Sequence, residues 1–285
     1  MLRSIEGLKG NTIAARDGLL GSVDEVYFDD EIWGVRYLVV DTGNWLNGHR
    51  VLISPYSVKH TDPGAGTVSV DLTREQVRNS PGINTRQPVS RQHEVEYLRY
   101  YGYPTYWGGQ DSWGMGGFPI LGPMQIGPGI ETETLEAQAF EAQAFEPQSS
   151  EPQAFEPIGP EADTSLVDVH LQSTEAVTGY HIEARDGSIG HVSGFIFDDE
   201  AWVIRYLTVD TRNWWPGGKT VLLATQWVDA VDWLGSSIAT ALTREAIKNC
   251  PAYDDLVPLS RTYEMALHTF HSKDGYWTKG DHAPR

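Results

Sequence analysis

The chain has 285 residues, a formal net charge of −18, and 40% hydrophobic and 11% aromatic residues, which allows two domains and supplies apolar mass for two folded cores. No stretch approaches the roughly 18 consecutive apolar residues of a membrane span, and the opening MLRSIEGLKG has no apolar signal region, so a cytoplasmic protein without a transmembrane segment is expected. Nucleic-acid binding is not expected, because contact with a phosphate backbone rests on clustered Lys and Arg rather than an acid excess.

In chain order, the first feature to recur is GLLGSVDEVYFDDEIWGVRYLVVDTGNW at Gly18–Trp45, which returns as GSIGHVSGFIFDDEAWVIRYLTVDTRNW at Gly187–Trp214. A repeat of this length fixes the architecture as two copies of one small fold. Within each copy a glycine-spaced turn (Gly18/Gly21, Gly187/Gly190) leads into a short strand. Its apolar positions, Val23, Val26 and Phe28, step by three and then by two, the signature of a β-bulge. Asp29, Asp30 and Glu31 (Asp198, Asp199, Glu200) form a hairpin turn before the β-prone run WGVRYLVVDT or WVIRYLTVDT. That run is apolar on both faces, with Leu38 and Val40 on one and Trp33, Val35, Tyr37 and Val39 on the other, so it reads as a central strand. A loop with Asn44, Trp45 and Gly48 (Asn213, Trp214, Gly217) precedes a third strand, RVLIS or TVLLA, and a fourth, TVSVDL or SIATAL. LTREQVRNSP at Leu72–Pro81 and LTREAIKNCP at Leu242–Pro251 predict short helices capped by Thr73 and Thr243, with Gln76 completing a capping box in the first copy only. A second helical segment, SRQHEVEYLRYYG or SRTYEMALHTFHS, then leads to Tyr106–Trp107 or Tyr276–Trp277. The expected fold is mainly β: two small, strongly bent antiparallel barrels with short appended helices, over residues 1–107 and 173–285.

Residues 108–172 are expected to be a disordered linker, Gly-rich at first and then a degenerate EAQAF/EPQAF repeat whose prolines at 147, 152 and 157 preclude a continuous helix. No Lys or Arg occurs between Arg99 and Arg185, so most of the acidity is local to this region. Phe140, Phe145 and Phe155 are spaced as anchors for a partner's groove, against the plainer reading of a solubilising spacer. The single cysteine, Cys250, has Ser80 as its counterpart and reads as structural.

Asp29, Asp30, Asp198 and Asp199 are read as structural turn residues, since Asp bonds local backbone N–H groups and neighbouring carboxylates on a hairpin tip point apart. Trp45, Trp214 and Trp215 either cap the barrel ends or form a recognition surface. The tail aromatics Tyr97, Tyr100, Tyr101, Tyr103, Tyr106, Trp107, Phe270, Tyr276 and Trp277 either pack on their own barrel or reach the other copy. Arg36 and Arg205 sit mid-strand and need a carboxylate; Asp24 is the simplest partner in the first copy, although Ser193 at that place in the second makes the pair particular. His268 and His271 are one helical turn apart, but Leu98 and Tyr101 replace them in the first copy. No metal site and no cofactor are expected. With no phosphate loop, CxxC pair, GxSxG elbow or Ser/His/Asp order present, the chain is not expected to be an enzyme.

The pattern GxxGxVxxVxFDDExWxVRYLVVDTxxW, followed by a VLIS-type strand and LTRExxxxxP, resembles the PRC-barrel family, named for the soluble domain of the H subunit of purple-bacterial photosynthetic reaction centres. The resemblance covers nearly all of both copies and leaves out the linker. It implies a docking or scaffold module with no common catalytic site, so the expected function is protein binding through Trp45, Trp214, Trp215, Tyr106, Trp107, Tyr276 and Trp277, with the two copies paired inside the molecule. Two alternatives stand beside it: a soluble peripheral component of a membrane photosynthetic or electron-transfer assembly, and a small-ligand or metal-binding stress protein.

Overall fold

A computed structural model of the chain describes residues 1–46, 48–81, 91–104, 171–214 and 217–278. The described elements fall into two series whose strands and later helices follow the same order, the second with an added helix after its first strand. The first comprises β1 (Leu2–Ser4), β2 (Thr12–Ala15), β3 (Gly18–Asp29), β4 (Val35–Asp41), β5 (Arg50–Ile53), β6 (Val58–Asp62), β7 (Thr67–Val70), α1 (Arg74–Arg78) and α2 (Arg91–Tyr101). The second comprises β8 (Leu171–Ser173), α3 (Thr174–Val177), β9 (His181–Ala184), β10 (Gly187–Asp198), β11 (Val203–Asp210), β12 (Thr220–Ala224), β13 (Val228–Asp232), β14 (Ser237–Thr240), α4 (Arg244–Asn249) and α5 (Arg261–Phe270). Leu171 and Gln172, placed in the linker by sequence, therefore open a strand; the rest of the predicted linker lies outside the described residues.

Each series builds a mainly antiparallel sheet, in the order β5-β4-β3-β2-β7-β6 and β12-β11-β10-β9-β14-β13, with one parallel pair, β2 with β7 or β9 with β14. The expected closed barrels are not formed, because the hydrogen-bonded path ends at β5 and β6 (β12 and β13). Between β5 and β6 the chain makes a tight turn at Pro55–Ser57, where proline has no N–H to offer. The edge groups near that turn are taken by side chains instead: the Tyr97 hydroxyl donates to the Leu52 carbonyl at 3.0 Å and accepts from the Ser54 N–H at 3.1 Å.

The strand expected to be short is 12 residues long in both halves. Gly21 lies inside it rather than in a turn, because a Cβ there would sit 1.9 Å from the Asp41 carbonyl oxygen; at Gly190 the same atom would sit 2.6 Å from that of Asp210. The bulge falls between Val23 and Glu25, and a second between Tyr27 and Phe28 makes Arg36 the extra residue of β4. Arg205 occupies the same place in β11. The bulges bend β3, so that one edge pairs β2 near Gly18–Ser22 and then a strand of the other half near Tyr27–Asp29.

That foreign strand is β8, and β1 reciprocally joins β10 (Leu2 opposite Asp198, Ser4 opposite Ile196). Between the two exchanged strands the hairpin tips meet: the Val35 N–H donates to the Trp202 carbonyl and the Ile204 N–H to the Trp33 carbonyl, each at 2.8 Å. Trp33 and Trp202 adopt positive φ of 58° and 52° to present those carbonyls. Phe28 stacks on Trp33 at 5.3 Å and meets Phe195 of the other half at 5.9 Å. One hydrophobic cluster consequently runs through both halves, from Ile5 and Leu8 to Ile238 and Ile247, and both belong to one compact unit. The other face of β4 packs separately, with Tyr37, Val39 and Leu52 under Tyr97 and Leu98 of α2.

A second cross-half contact is one-sided. The Ser173 hydroxyl donates to the buried carboxylate of Glu25, which burial pushes above the usual carboxylate value; Gly194 stands at that place in the second half. A carboxyl raised in the folded state gives stability that is complete below its unfolded pKa and is lost as pH rises through the folded one. Glu25→Gln, which keeps an acceptor for Ser173, is expected to raise the melting temperature at pH 7 and to lose that advantage near pH 4, read by thermal denaturation at both. Gly21→Ala is expected to cost roughly 2–4 kcal/mol, since the backbone oxygen it meets cannot move aside, as measured by chemical denaturation.

Candidate functional site

The acidic hairpins are organised alike. Asp29 Oδ1 accepts from the N–H groups of Glu31 and Ile32 at 3.1 and 3.2 Å, and Asp198 Oδ1 accepts from those of Glu200 and Ala201 at 3.1 and 3.3 Å. The second oxygen of each faces the bulge arginine, Arg36 at 3.8 Å and Arg205 at 3.7 Å. This corrects the expected Arg36–Asp24 pair: Asp24 instead meets Arg50 at 2.7 Å, because the bulge turns Arg36 toward the hairpin tip. The pair is thus common to both halves. Burial raises the Asp29 carboxyl even against the pull of Arg36 and its two N–H bonds. Asp199 lies beside the Met1 amino group and Arg3 of the exchanged strand β1.

The tryptophan loops are held by the Asp-Thr pairs that precede them. Asp41 Oδ1 accepts from the Gly43 N–H and Asp210 Oδ1 from that of Arg212, both at 2.8 Å. Thr42 and Thr211 hydroxyls donate across the loops to the carbonyls of His49 and Lys219 at 2.5 and 2.6 Å. Trp45 is half-buried, its indole N–H donating to the Leu20 carbonyl while the Arg74 guanidinium lies 4.5 Å over the ring. Trp214, also half-buried, meets the His181 ring at 6.0 Å. Trp215, Tyr106 and Trp107 lie outside the described residues.

Tyr276 and Trp277 fold back on their own half. The Tyr276 ring lies beneath Arg205 at 4.2 Å and Arg261 at 5.3 Å, and Arg261 also covers Trp277 at 4.4 Å. The Tyr276 hydroxyl donates to Glu264 Oε1 at 3.0 Å, and Trp277 meets the His268 ring at 4.9 Å. Glu264 is the centre of this cluster: Tyr206 also donates to it at 2.9 Å, and Arg261 pairs with its other oxygen at 3.0 Å. Burial raises the Glu264 carboxyl and lowers the His268 imidazole, and the His271 imidazole falls to about 4. His268 and His271 flank Trp227, at 4.8 and 4.9 Å. No group of three potential metal ligands occurs among the described residues.

In the first half the same frame is filled differently. Tyr37 donates to Glu94 at 2.9 Å, but Leu98 replaces His268, Ser57 replaces Trp227, and Tyr103 replaces Lys273. Aromatic rings gather at the end of α2, where Tyr103 stacks on Tyr56 at 5.4 Å and on Tyr101 at 5.5 Å. These rings, with Tyr100, Asp71 and Gln76, line an open cavity of about 390 Å³. Tyr97 is fully buried rather than part of that surface, whereas Tyr100 is 41% exposed. The sequence reading passed over Glu94, Glu264, Tyr37 and Tyr206 as a site. Their recurrence at matching places, a glutamate four residues into each helical segment and a tyrosine in each central strand, is the signal that marks them.

A small β module that adds helices to one face of a bent sheet, and carries its polar groups beneath those helices, is the class these features define. Residues 4–77 match the family model of the PRC-barrel domain, and the first half carries that domain. No curated protein matches the chain. Among the described residues no helix is long and apolar enough to cross a membrane.

Gly275 is buried against the Trp277 indole, and a Cβ there would fall 2.3 Å from the ring. Gly275→Ala is expected to push Trp277 away from His268 and Arg261, with loss of the ring-current shifts of both in proton NMR and a stability cost of about 1–3 kcal/mol.

Proposed function

We propose that the protein is a non-catalytic protein-binding scaffold built from two PRC-barrel modules, the second being residues 173–285. The observation that carries this reading is the set of aromatic rings held rigidly yet half-exposed at the ends of the fold: Trp45 clamped between Leu20 and Arg74, and Tyr103 stacked between Tyr56 and Tyr101 beside an open cavity. Immobilised aromatic rings bind at low entropic cost, because their side chains are already ordered before a partner arrives. The buried carboxylates are committed to contacts within the fold. Glu264 is enclosed by Tyr206, Tyr276 and Arg261, and Asp29 by the N–H groups of its own hairpin. The PRC-barrel match supports the same reading for the first half, as a module whose resemblance brings no common catalytic site.

The experiment is affinity purification of the full chain from its native cells, with chemical cross-linking and mass spectrometry, beside Trp45→Ala and Tyr103→Ala forms shown by circular dichroism to be folded. Specific proteins that cross-link near these residues and fall at least about tenfold in recovery with either substitution are expected, as for interface anchors. Unchanged recovery with both would overturn the assignment of these rings.

A further inference from the structure

Tyr206 stands between two acceptors. Its hydroxyl oxygen lies 2.9 Å from Glu264 Oε1 and 3.0 Å from His268 Nε2, and a phenol has one proton to donate. The other imidazole nitrogen, Nδ1, is 3.0 Å from the Asp274 carbonyl oxygen. A carbonyl only accepts, so Nδ1 carries hydrogen, and in a neutral ring Nε2 is then a bare lone pair. An ionised Glu264, a neutral His268 and one phenol proton therefore cannot make both contacts; one of them would set two lone pairs face to face.

We propose that the Glu264–Tyr206–His268 triad binds one proton more than a carboxylate and a neutral imidazole hold, and that this proton fastens the segment 274–278 to the second half. The count closes in two ways. With the proton on Glu264, its carboxyl O–H donates to the Tyr206 oxygen and the Tyr206 O–H donates to Nε2. With the proton on Nε2, the ring donates to the Tyr206 oxygen and Tyr206 donates to Oε1. The two forms interconvert by two hydrogen shifts through the phenol and carry the same total charge. Burial raises Glu264 and lowers His268, which favours the first form.

The surroundings bear on the proton from every side. Arg261 faces Glu264 Oε2 from the same helix, Tyr276 donates to Oε1 from the C-terminal turn, and Arg205 and Asp198 lie behind in the sheet. His268 meets Tyr206 from β11, Trp227 from the turn before β13, Trp277 from the C-terminal turn, and Arg261, His271 and the Lys273 backbone nearer in sequence. Loss of the proton leaves Tyr206 donating to Glu264 alone. Nε2 then has no donor, and the ring that holds the Asp274 carbonyl loses one of its two anchors. The first half offers a comparison: Leu98 stands in place of His268, and Tyr37 donates to Glu94 at 2.9 Å.

The sign follows from the proton count in each state. Above the ordinary histidine value of 6.5 the unfolded chain holds neither proton while the folded triad holds one, so stability falls as pH rises until the triad itself deprotonates. Chemical denaturation of the full chain from pH 6.5 upward, for wild type and His268→Leu, tests this. The folding constant of wild type should fall by up to about tenfold per pH unit more steeply than that of the variant; equal slopes overturn the proposal. A second measurement needs no variant. In wild type, the Glu264 carboxyl carbon and the His268 ring nitrogens should titrate together in one NMR step well above the ordinary glutamate value of 4.5. Separate steps, with Glu264 ionised while Nε2 is bare, overturn it as well.

Discussion

The fold depends on a pair of backbone hydrogen bonds at its centre. Val35 donates to Trp202 and Ile204 to Trp33, and each of these tryptophans holds a left-handed conformation that costs a bulky residue about 1–2 kcal/mol. Neither half can form this pair alone. The outer end of β3 likewise has its neighbour supplied by β8, and β10 has β1. Separating the halves would therefore leave strand edges open and expose Phe28, Phe195 and the ring of Trp33. The two halves thus share their central hydrogen bonds, their exchanged strands and one hydrophobic cluster.

That constraint explains where the copies have stayed alike and where they have parted. Residues near the centre are pressed by both halves at once, so FDDE, the tryptophan after it and the bulge arginine recur. The face of β4 or β11 that lies under α2 or α5 packs largely within its own half, with Leu171 of β8 at its margin in the first, so a change there is answered mostly locally. Ser57 with Tyr103 and Trp227 with Lys273 are such answers: each pair supplies one aromatic group to the same layer, from opposite ends. The Tyr–Glu pair beneath the helix persists in both halves. Leu98 brings no ring nitrogen to that place, whereas His268 adds a second acceptor and with it a demand for hydrogen.

The sequence made the repeat, the bulge after Val23, the acidic hairpin and the central strand legible, because each has a local cause: apolar spacing, turn chemistry, or β-branched density. Thr73 and Gln76 form the capping box that their spacing predicts. What escaped had non-local causes. Strands β6 and β13, VKHTD and VDAVD, are edge strands whose charged, exposed residues show little apolar alternation. The exchange of β1 and β8 is invisible to any pattern within one copy, and three-residue strands carry almost no periodicity. Arg36 does not meet the neighbouring-strand carboxylate Asp24, because the second bulge, which no apolar step announces, turns it to Asp29. The ring of groups around Glu264 is assembled from β11, α5 and the C-terminal turn, so only its recurrence in both copies could have pointed to it.

The bulge arginines connect these observations. A buried ion pair is weak evidence for net stability, because desolvation offsets much of its attraction, and Arg36 is almost wholly buried. Its geometry matters more than its energy. The extra residue in β4 aims the guanidinium at Asp29 Oδ2, while Asp29 Oδ1 is bonded to two N–H groups of the hairpin tip. The arginine thus holds the carboxylate, the carboxylate holds the tip, and the tip delivers the Trp33 carbonyl to Ile204. In the second half the same chain runs through Arg205 and Asp198 to Trp202, and the Tyr276 ring lies over the Arg205 guanidinium. Movement of the C-terminal turn therefore has a direct path to the centre of the molecule through Arg205.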